Sequence, residues 1–220
     1  MGEAARVCLP DYSLTGKRNK ALRANFNKLE KEGHTFEVLT PPHQDLLLME
    51  LKLISDEWLN GRVEKGYSVG NFDTYYLNKC PLALVRGPNG QIEAFASLMP
   101  TYTAQAISID LMRHRNQLAS GVMDFLFLHM FQYYQEQGMD YFNLGMAPFS
   151  EVGLSRDSFL SERFAYFLFQ YGNRFYSFKG LRSYKEKFTK YWEPRYTAYP
   201  KDSSLIFIML QLLLLINSEN

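Results

Sequence analysis

The sequence predicts an α/β fold, a mixed sheet flanked by helices. Two observations carry this. From residue 81 onward, apolar runs of strand length alternate with segments of helical period, the pattern of a layered strand-and-helix domain. A hairpin opens that series, which adds antiparallel pairing to a sheet otherwise built from strand–helix–strand steps. The 220 residues, 46% hydrophobic and 21% charged, suffice for one domain with a substantial core.

Each element follows from local pattern. Residues 16–33, GKRNKALRANFNKLEKEG, read as a basic amphipathic helix. Leu22, Phe26 and Leu29 recur at i, i+4 and i+7 and so share one face, and Gly33 is placed to stop the helix. HTFEVLTPP, 34–42, alternates as a short strand and ends at Pro41 and Pro42. A second helix is expected from Asp45 to Trp58. The runs 82–85 and 92–98, separated by Gly87, Pro88, Asn89 and Gly90, form the hairpin. A third strand is expected at 105–111, with Asp110 at its end, then an apolar helix at 121–137 closed by Gly138. A strand at 141–144 enters GMAP at 145–148, read as a turn. An aromatic helix at 161–171 follows, and a strand-like basic tail comes last. Phe159, Phe164, Tyr166, Phe167 and Phe169 are expected in the core, or lining a lipid tunnel. The chain thus divides into a leading helical segment (1–80), a core (81–200) and an apolar C-terminal helix (201–220), as one compact unit.

Several function classes are disfavoured. Cys8 and Cys80 make neither a disulfide framework nor a metal pattern, and His34, His43, His114 and His129 are scattered. No metal site is expected. MGEAARVCLPDYS lacks the charged-then-apolar pattern of a secretory signal, and Arg6 stands where myristoylation needs Ser or Thr. The run LIFIMLQLLLLI, 205–216, gives roughly 18 Å of helix, too short for a hydrocarbon core of about 30 Å. It is left to pack on the domain, lie in a membrane interface or meet a partner.

Although the formal net charge is only +1, FKGLRSYKEKFTKYWEPRYTAYP at 178–200 concentrates cations among aromatics. Lys179, Arg182 and Lys185 recur every three residues, so a helix would gather them into one cationic ridge. Lys17, Arg18, Lys20, Arg23, Lys28 and Lys31 form a second basic surface, diluted by Glu30 and Glu32. Both fit phosphate-bearing partners or a solvated face. Asp110 and Arg113, where the third strand opens toward a helix, occupy the usual ligand position of α/β sheets. From spacing alone they remain either a site or a local capping ion pair.

Six blocks resemble a known family. They are GKRNKALRANFNKLEKEGHTFEVL (16–39), ISDEWL with EKGYSVGNFD (54–73), IEAFASLMP (92–100), ISIDLMR (107–113), YFNLGMAP (141–148), and FKGLRSYKEKF with WEPRY and AYP (178–200). In order and length they are similar to the C-terminal catalytic domain of the bacterial phosphatidylglycerol lysyltransferases and alanyltransferases, the multiple peptide resistance factors.

The resemblance implies an N-acetyltransferase-like fold, lacking here its membrane region and first repeat. It implies transfer of an aminoacyl group, lysyl by expectation, from aminoacyl-tRNA to the glycerol hydroxyl of phosphatidylglycerol. The setting would be the cytoplasmic face of the bacterial membrane, and no cofactor is needed. Acetyltransferases hold the pyrophosphate of coenzyme A on a glycine-rich turn before a helix. The equivalent stretch here, MRHRNQLASG at 112–121, has one glycine, Gly121, which disfavours an acyl-CoA donor.

The resemblance moves Asp110 and Arg113 from ion pair to site. Asp110 would hold the donor ammonium or take the hydroxyl proton, and Arg113 would hold a phosphate or the oxyanion. Lys185 is the third catalytic candidate, polarising the ester or holding a phosphate. Lys179, Arg182, Tyr184 and Glu93 are expected to bind substrate, and Lys17, Arg18, Lys20, Arg23 and Lys28 the phosphates of tRNA or lipid. Asp73 is a weaker candidate for a cationic aminoacyl side chain. Two other readings stay open: an aminoacyl-tRNA-dependent peptidyltransferase of cell-wall precursors, and a binding module for anionic membrane.

Overall fold

The computed structural model describes residues 1–62, 64, 70–101, 105–155, 157–171, 178–208 and 211. These form two compact units, one of Cys8–Phe142, the other of Met1–Val7 with Asn143–Asn220.

The first unit is built on four antiparallel strands in the order β2 (Thr35–Leu39), β3 (Leu82–Arg86), β4 (Ile92–Thr101), β5 (Ala106–His114). Leu82 through Val85 are all buried, because helices cover both faces of β3 and each alternate side chain finds a core. On one face lies α2 (Asp45–Leu59). Its Leu48, Leu51 and Ile54 pack with Leu77 of the short α3 (Thr74–Leu77) against Leu82, Leu84, Ile92, Phe95 and Leu111. The other face meets α4 (Val122–Glu136), on which α1 (Lys20–Lys31) packs through Phe26 and Phe125, ring centroids 5.2 Å apart. The predicted α1 face of Leu22, Phe26 and Leu29 is the buried one. Asp73, a weaker candidate for the donor side chain, caps α3 by accepting the Tyr76 N–H at 2.7 Å. The hairpin turn forms as expected, with Gly90 at φ 80°.

The second unit contains a strand absent from the predicted order. Gly2–Cys8 forms β1, antiparallel to β7 (Tyr191–Arg195), with Gly2 opposite Arg195 and Arg6 opposite Tyr191. β6 (Tyr141–Pro148), which begins at the close of the first unit, is the other neighbour of β1. GMAP is therefore the second half of a strand, not a turn. β1 has a reason to begin with glycine: a Cβ at Gly2 would stand 2.6 Å from the Ala147 carbonyl oxygen. The basic segment is a helix, α6 (Phe178–Glu186), followed by β7.

The aromatic helix α5 (Leu160–Tyr171) corrects a second expectation. Phe159, Phe164 and Phe167 are 77%, 44% and 55% exposed, while Tyr166 and Phe169 are half-buried. Within the apolar run 205–216, Leu205 is buried and Phe207 exposed, and 209, 210 and 212–216 lie outside the described residues. No helix among the described residues is long and apolar enough to cross a membrane.

Candidate active site

Asp110 and Arg113 lie inside β5 rather than at its end, and a bulge gives them a common side. Ala96 pairs with Met112 but Leu98 with Ile109, so Asp110 and Leu111 together oppose Ser97. One extra residue reverses the alternation of the strand, which brings i and i+3 to one face. The Ser97 hydroxyl fills the gap in the ladder by accepting the Leu111 N–H at 3.0 Å.

The Asp110 carboxylate accepts the Gly70 N–H at 2.9 Å. Only a glycine allows this approach, since a Cβ at position 70 would fall 2.2 Å from Oδ2. Beside the carboxylate stands Tyr76, whose phenol pKa is pushed up by burial first and by Asp110 second. The Cys80 thiol, near the same phenol, is likewise pushed up, chiefly by burial.

Arg113 is 7% exposed. One amino group meets Glu64 at 2.5 Å, the other donates to the Met112 carbonyl at 2.9 Å, and the guanidinium carbon lies 4.2 Å from the Trp58 ring centroid. Burial lowers its pKa, with Glu64 opposing. Its buried Nε–H meets no acceptor among the described residues. A guanidinium with an unmet donor edge, beside a carboxylate, is equipped to take an anionic oxygen. Gly70, Tyr76, Trp58 and Glu64 were missed as site residues. They precede β5 in the chain and match no motif; only the blocks ISDEWL, which holds Trp58, and EKGYSVGNFD, which holds Glu64 and Gly70, pointed near them.

Beyond Arg113 the chain turns into α4, whose N-terminal residue follows Gly121 at φ 94°. The Asn116 N–H donates to the Glu57 carboxylate at 2.6 Å, and Arg115 reaches the same carboxylate at 3.2 Å. A side chain of α2 thus occupies a backbone donor of this turn.

On the second unit, α6 carries Lys179, Arg182 and Lys185, but not as a solvated ridge. Lys185 is 8% exposed, and its ammonium donates to the Met146 carbonyl at 3.0 Å. Burial pushes its pKa down to about 8. Arg182 is paired with Glu3, with Glu186 at 3.0 Å and with Glu151 at 3.6 Å, over the ring of Trp192. Those contacts make it a structural hub. Lys179 is half-buried, and Tyr184 packs edge-on against Phe188.

Glu93 reaches His34, 3.2 Å from its Nε2. Of the basic helix, Arg23 is spent on the Leu14 and Gly16 carbonyls and Lys28 lies 3.6 Å from Glu32. Lys17, Arg18 and Lys20 are exposed. Among the described residues no group of three or more His, Cys, Asp or Glu side chains is placed to hold a metal.

The family model "Phosphatidylglycerol lysyltransferase, C-terminal" matches residues 1–199. The chain belongs to this family. A phosphatidylglycerol lysyltransferase of Bacillus subtilis is 48% identical over 95% of the chain, and one of Staphylococcus xylosus 40% over all of it. The chain spans about a quarter of the length of these curated relatives, 24% and 26%. Among solved structures, L-PGS from Bacillus licheniformis superposes with a TM-score of 0.83 at 43% identity, over 98% of this chain and 65% of that one. The C-terminal domain of a putative lysylphosphatidylglycerol synthetase from Agrobacterium fabrum gives 0.79 at 38%, over 97% and 64%.

Proposed function

We propose that this chain carries the chemistry of a phosphatidylglycerol lysyltransferase, moving a lysyl group from lysyl-tRNA to the glycerol hydroxyl of phosphatidylglycerol at a membrane surface. The observation that carries this reading is the 48% identity to a phosphatidylglycerol lysyltransferase over 95% of the chain.

In the step, the glycerol oxygen attacks the ester carbonyl, the bond to the tRNA ribose oxygen breaks, and the hydroxyl proton passes to that leaving oxygen. One ester replaces another, so no external energy source is needed. Asp110, fixed by the Gly70 amide, is the carboxylate that accepts the hydroxyl proton or holds the donor's ammonium. Arg113 offers its unmet Nε–H to the oxyanion or a phosphate. Lys185, on the other unit, carries a buried cation whose pKa is pushed down to about 8, suited to holding a phosphate. The exposed Lys17, Arg18 and Lys20 draw in phosphate backbone or headgroups. Engagement of the Asn116 amide by Glu57 supports an aminoacyl ester donor over acyl-CoA, whose pyrophosphate needs free amides in that turn.

The test is radiolabelled lysyl-tRNA with phosphatidylglycerol vesicles and purified protein. Labelled lipid should appear with the unaltered chain and vanish with Asp110→Ala. Lipid labelling undiminished by that change would remove Asp110 from the site. Salt-sensitive vesicle binding without labelled lipid would favour a membrane-binding module instead.

A further inference from the structure

The chemistry proposed for Arg113 asks for a cation with free donors, yet burial makes such a cation expensive to hold still. A carboxylate on every side would fix the guanidinium but consume its N–H groups. An aromatic face does otherwise, attracting the cation through its π-electrons while taking no hydrogen bond. Trp58 is placed for that, its ring centroid 4.2 Å from the Arg113 guanidinium carbon. Of the donors beneath it, one goes to Glu64 and one to the Met112 carbonyl, and the buried Nε–H stays unmet among the described residues.

The indole is itself anchored. Its neighbour in sequence, Glu57, is tied to Asn116 twice, by the carboxylate at 2.6 Å and by its own carbonyl at 2.9 Å from Nδ2. Arg62 closes the end of α2 by donating to the Leu59 and Trp58 carbonyls, and its guanidinium carbon lies 5.1 Å from the same ring. The last turn of α2 is therefore latched to the chain just beyond Arg113, and the ring moves with it. Two guanidinium groups share this indole, and the carboxylates of Glu64 and Asp110 both act on Arg113.

We propose that Trp58 is a positioning residue for Arg113: its indole face sets the guanidinium plane so that the Nε–H edge meets an anionic oxygen of the substrate. This rests on the reading that Arg113 engages substrate. Trp58 touches no reacting atom itself, so its effect runs through the arginine.

The experiment measures lysyl-lipid formation for Trp58→Phe, Trp58→Met, Arg113→Lys, Arg113→Ala and the Trp58→Met/Arg113→Lys pair, with thermal melting of each. Loss of a partly desolvated cation–π contact predicts a kcat/KM roughly 10- to 30-fold lower for Trp58→Met. Trp58→Phe, which keeps an aromatic face, should stay within about 3-fold of the unaltered protein. Lysine at 113 has no plane to set, so Trp58→Met should add little in that background. Equal losses for Phe and Met that follow melting temperature would overturn the proposal, as would fully additive effects in the double variant. Full activity of Arg113→Lys together with Arg113→Ala would instead sink the functional reading of Arg113. An impaired Arg113→Ala beside an unimpaired Trp58→Met would sink the positioning role alone.

Discussion

Replacing Lys185 with methionine should make the protein more stable at neutral pH while removing its activity. The side chain is 8% exposed, and burial pushes its pKa from 10.5 to about 8. At about 1.36 kcal/mol per pK unit, that drop penalises the charged form in the folded state by about 3 kcal/mol. Methionine is uncharged and of similar length. It forfeits one hydrogen bond, to the Met146 carbonyl, a loss of about 1 kcal/mol. The net expectation at pH 7 is a gain of about 2 kcal/mol.

The pH dependence supplies an independent check. Because the folded-state pKa lies below the unfolded one, the unfolded chain binds more protons between about 8 and 10.5, and stability rises with pH through that window. Between pH 7 and 9.5 the unaltered protein should gain roughly 2 kcal/mol from this group relative to the Lys185→Met variant. Urea denaturation of both proteins at the two pH values measures the difference. A variant less stable at pH 7, or one with the same pH slope as the parent, would refute the claim that a charged lysine is buried there.

Three further expectations follow from the geometry. Gly70→Ala forces a methyl group against the Asp110 carboxylate, 2.2 Å away in the present arrangement, and should lower kcat/KM by roughly 10-fold or more; parental kinetics would show that Asp110 need not hold this position. Arg182→Ala strips the cation from Glu3, Glu151 and Glu186 and should cost about 3 kcal/mol, read as a melting temperature lower by roughly 6–12 °C, whereas Lys179→Ala should stay within about 0.5 kcal/mol of the parent. His129 packs against Phe26, Phe36 and Phe125, and burial lowers its pKa to about 4. Its contribution to stability is whole above pH 6.5 and is lost as pH falls toward 4, so His129→Phe should flatten acid unfolding in that range.

Where pattern and packing obey the same period, the sequence was legible. The α1 stripe and the glycine-bounded hairpin are of this kind, because local chemistry alone determines them. β1 was not, since GEAARVC has little strand propensity and becomes a strand by pairing with β7, far away in the chain. The face of α5 misled for a related reason. Leu160, Phe164, Phe167 and Tyr171 make a regular apolar stripe, but periodicity does not say what a stripe packs against. Asp110 and Arg113 were legible as candidates that could face one cleft, but the bulge that lets them do so was not. Facing one side three residues apart needs a bulge, and nothing in QAISIDLMRH announces it. The basic tail divided in a way composition hides: Arg182 is held by carboxylates, one of them from the third residue of the chain, and Lys185 is buried.

The pairing of β1 with β7 also orders events in time. The unit of Cys8–Phe142 is continuous in sequence and can collapse once its last residue is available. The other unit joins residue 2 to residue 195, a closure of very high contact order that comes late and slowly. Lys185 lies a few residues before β7, and its helix is tied to β1 through Arg182 and Glu3. The dry setting around the Met146 carbonyl that lowers its pKa belongs to this late-closing unit. A chain emerging from the ribosome would carry an ordinary, fully charged lysine until that unit closes.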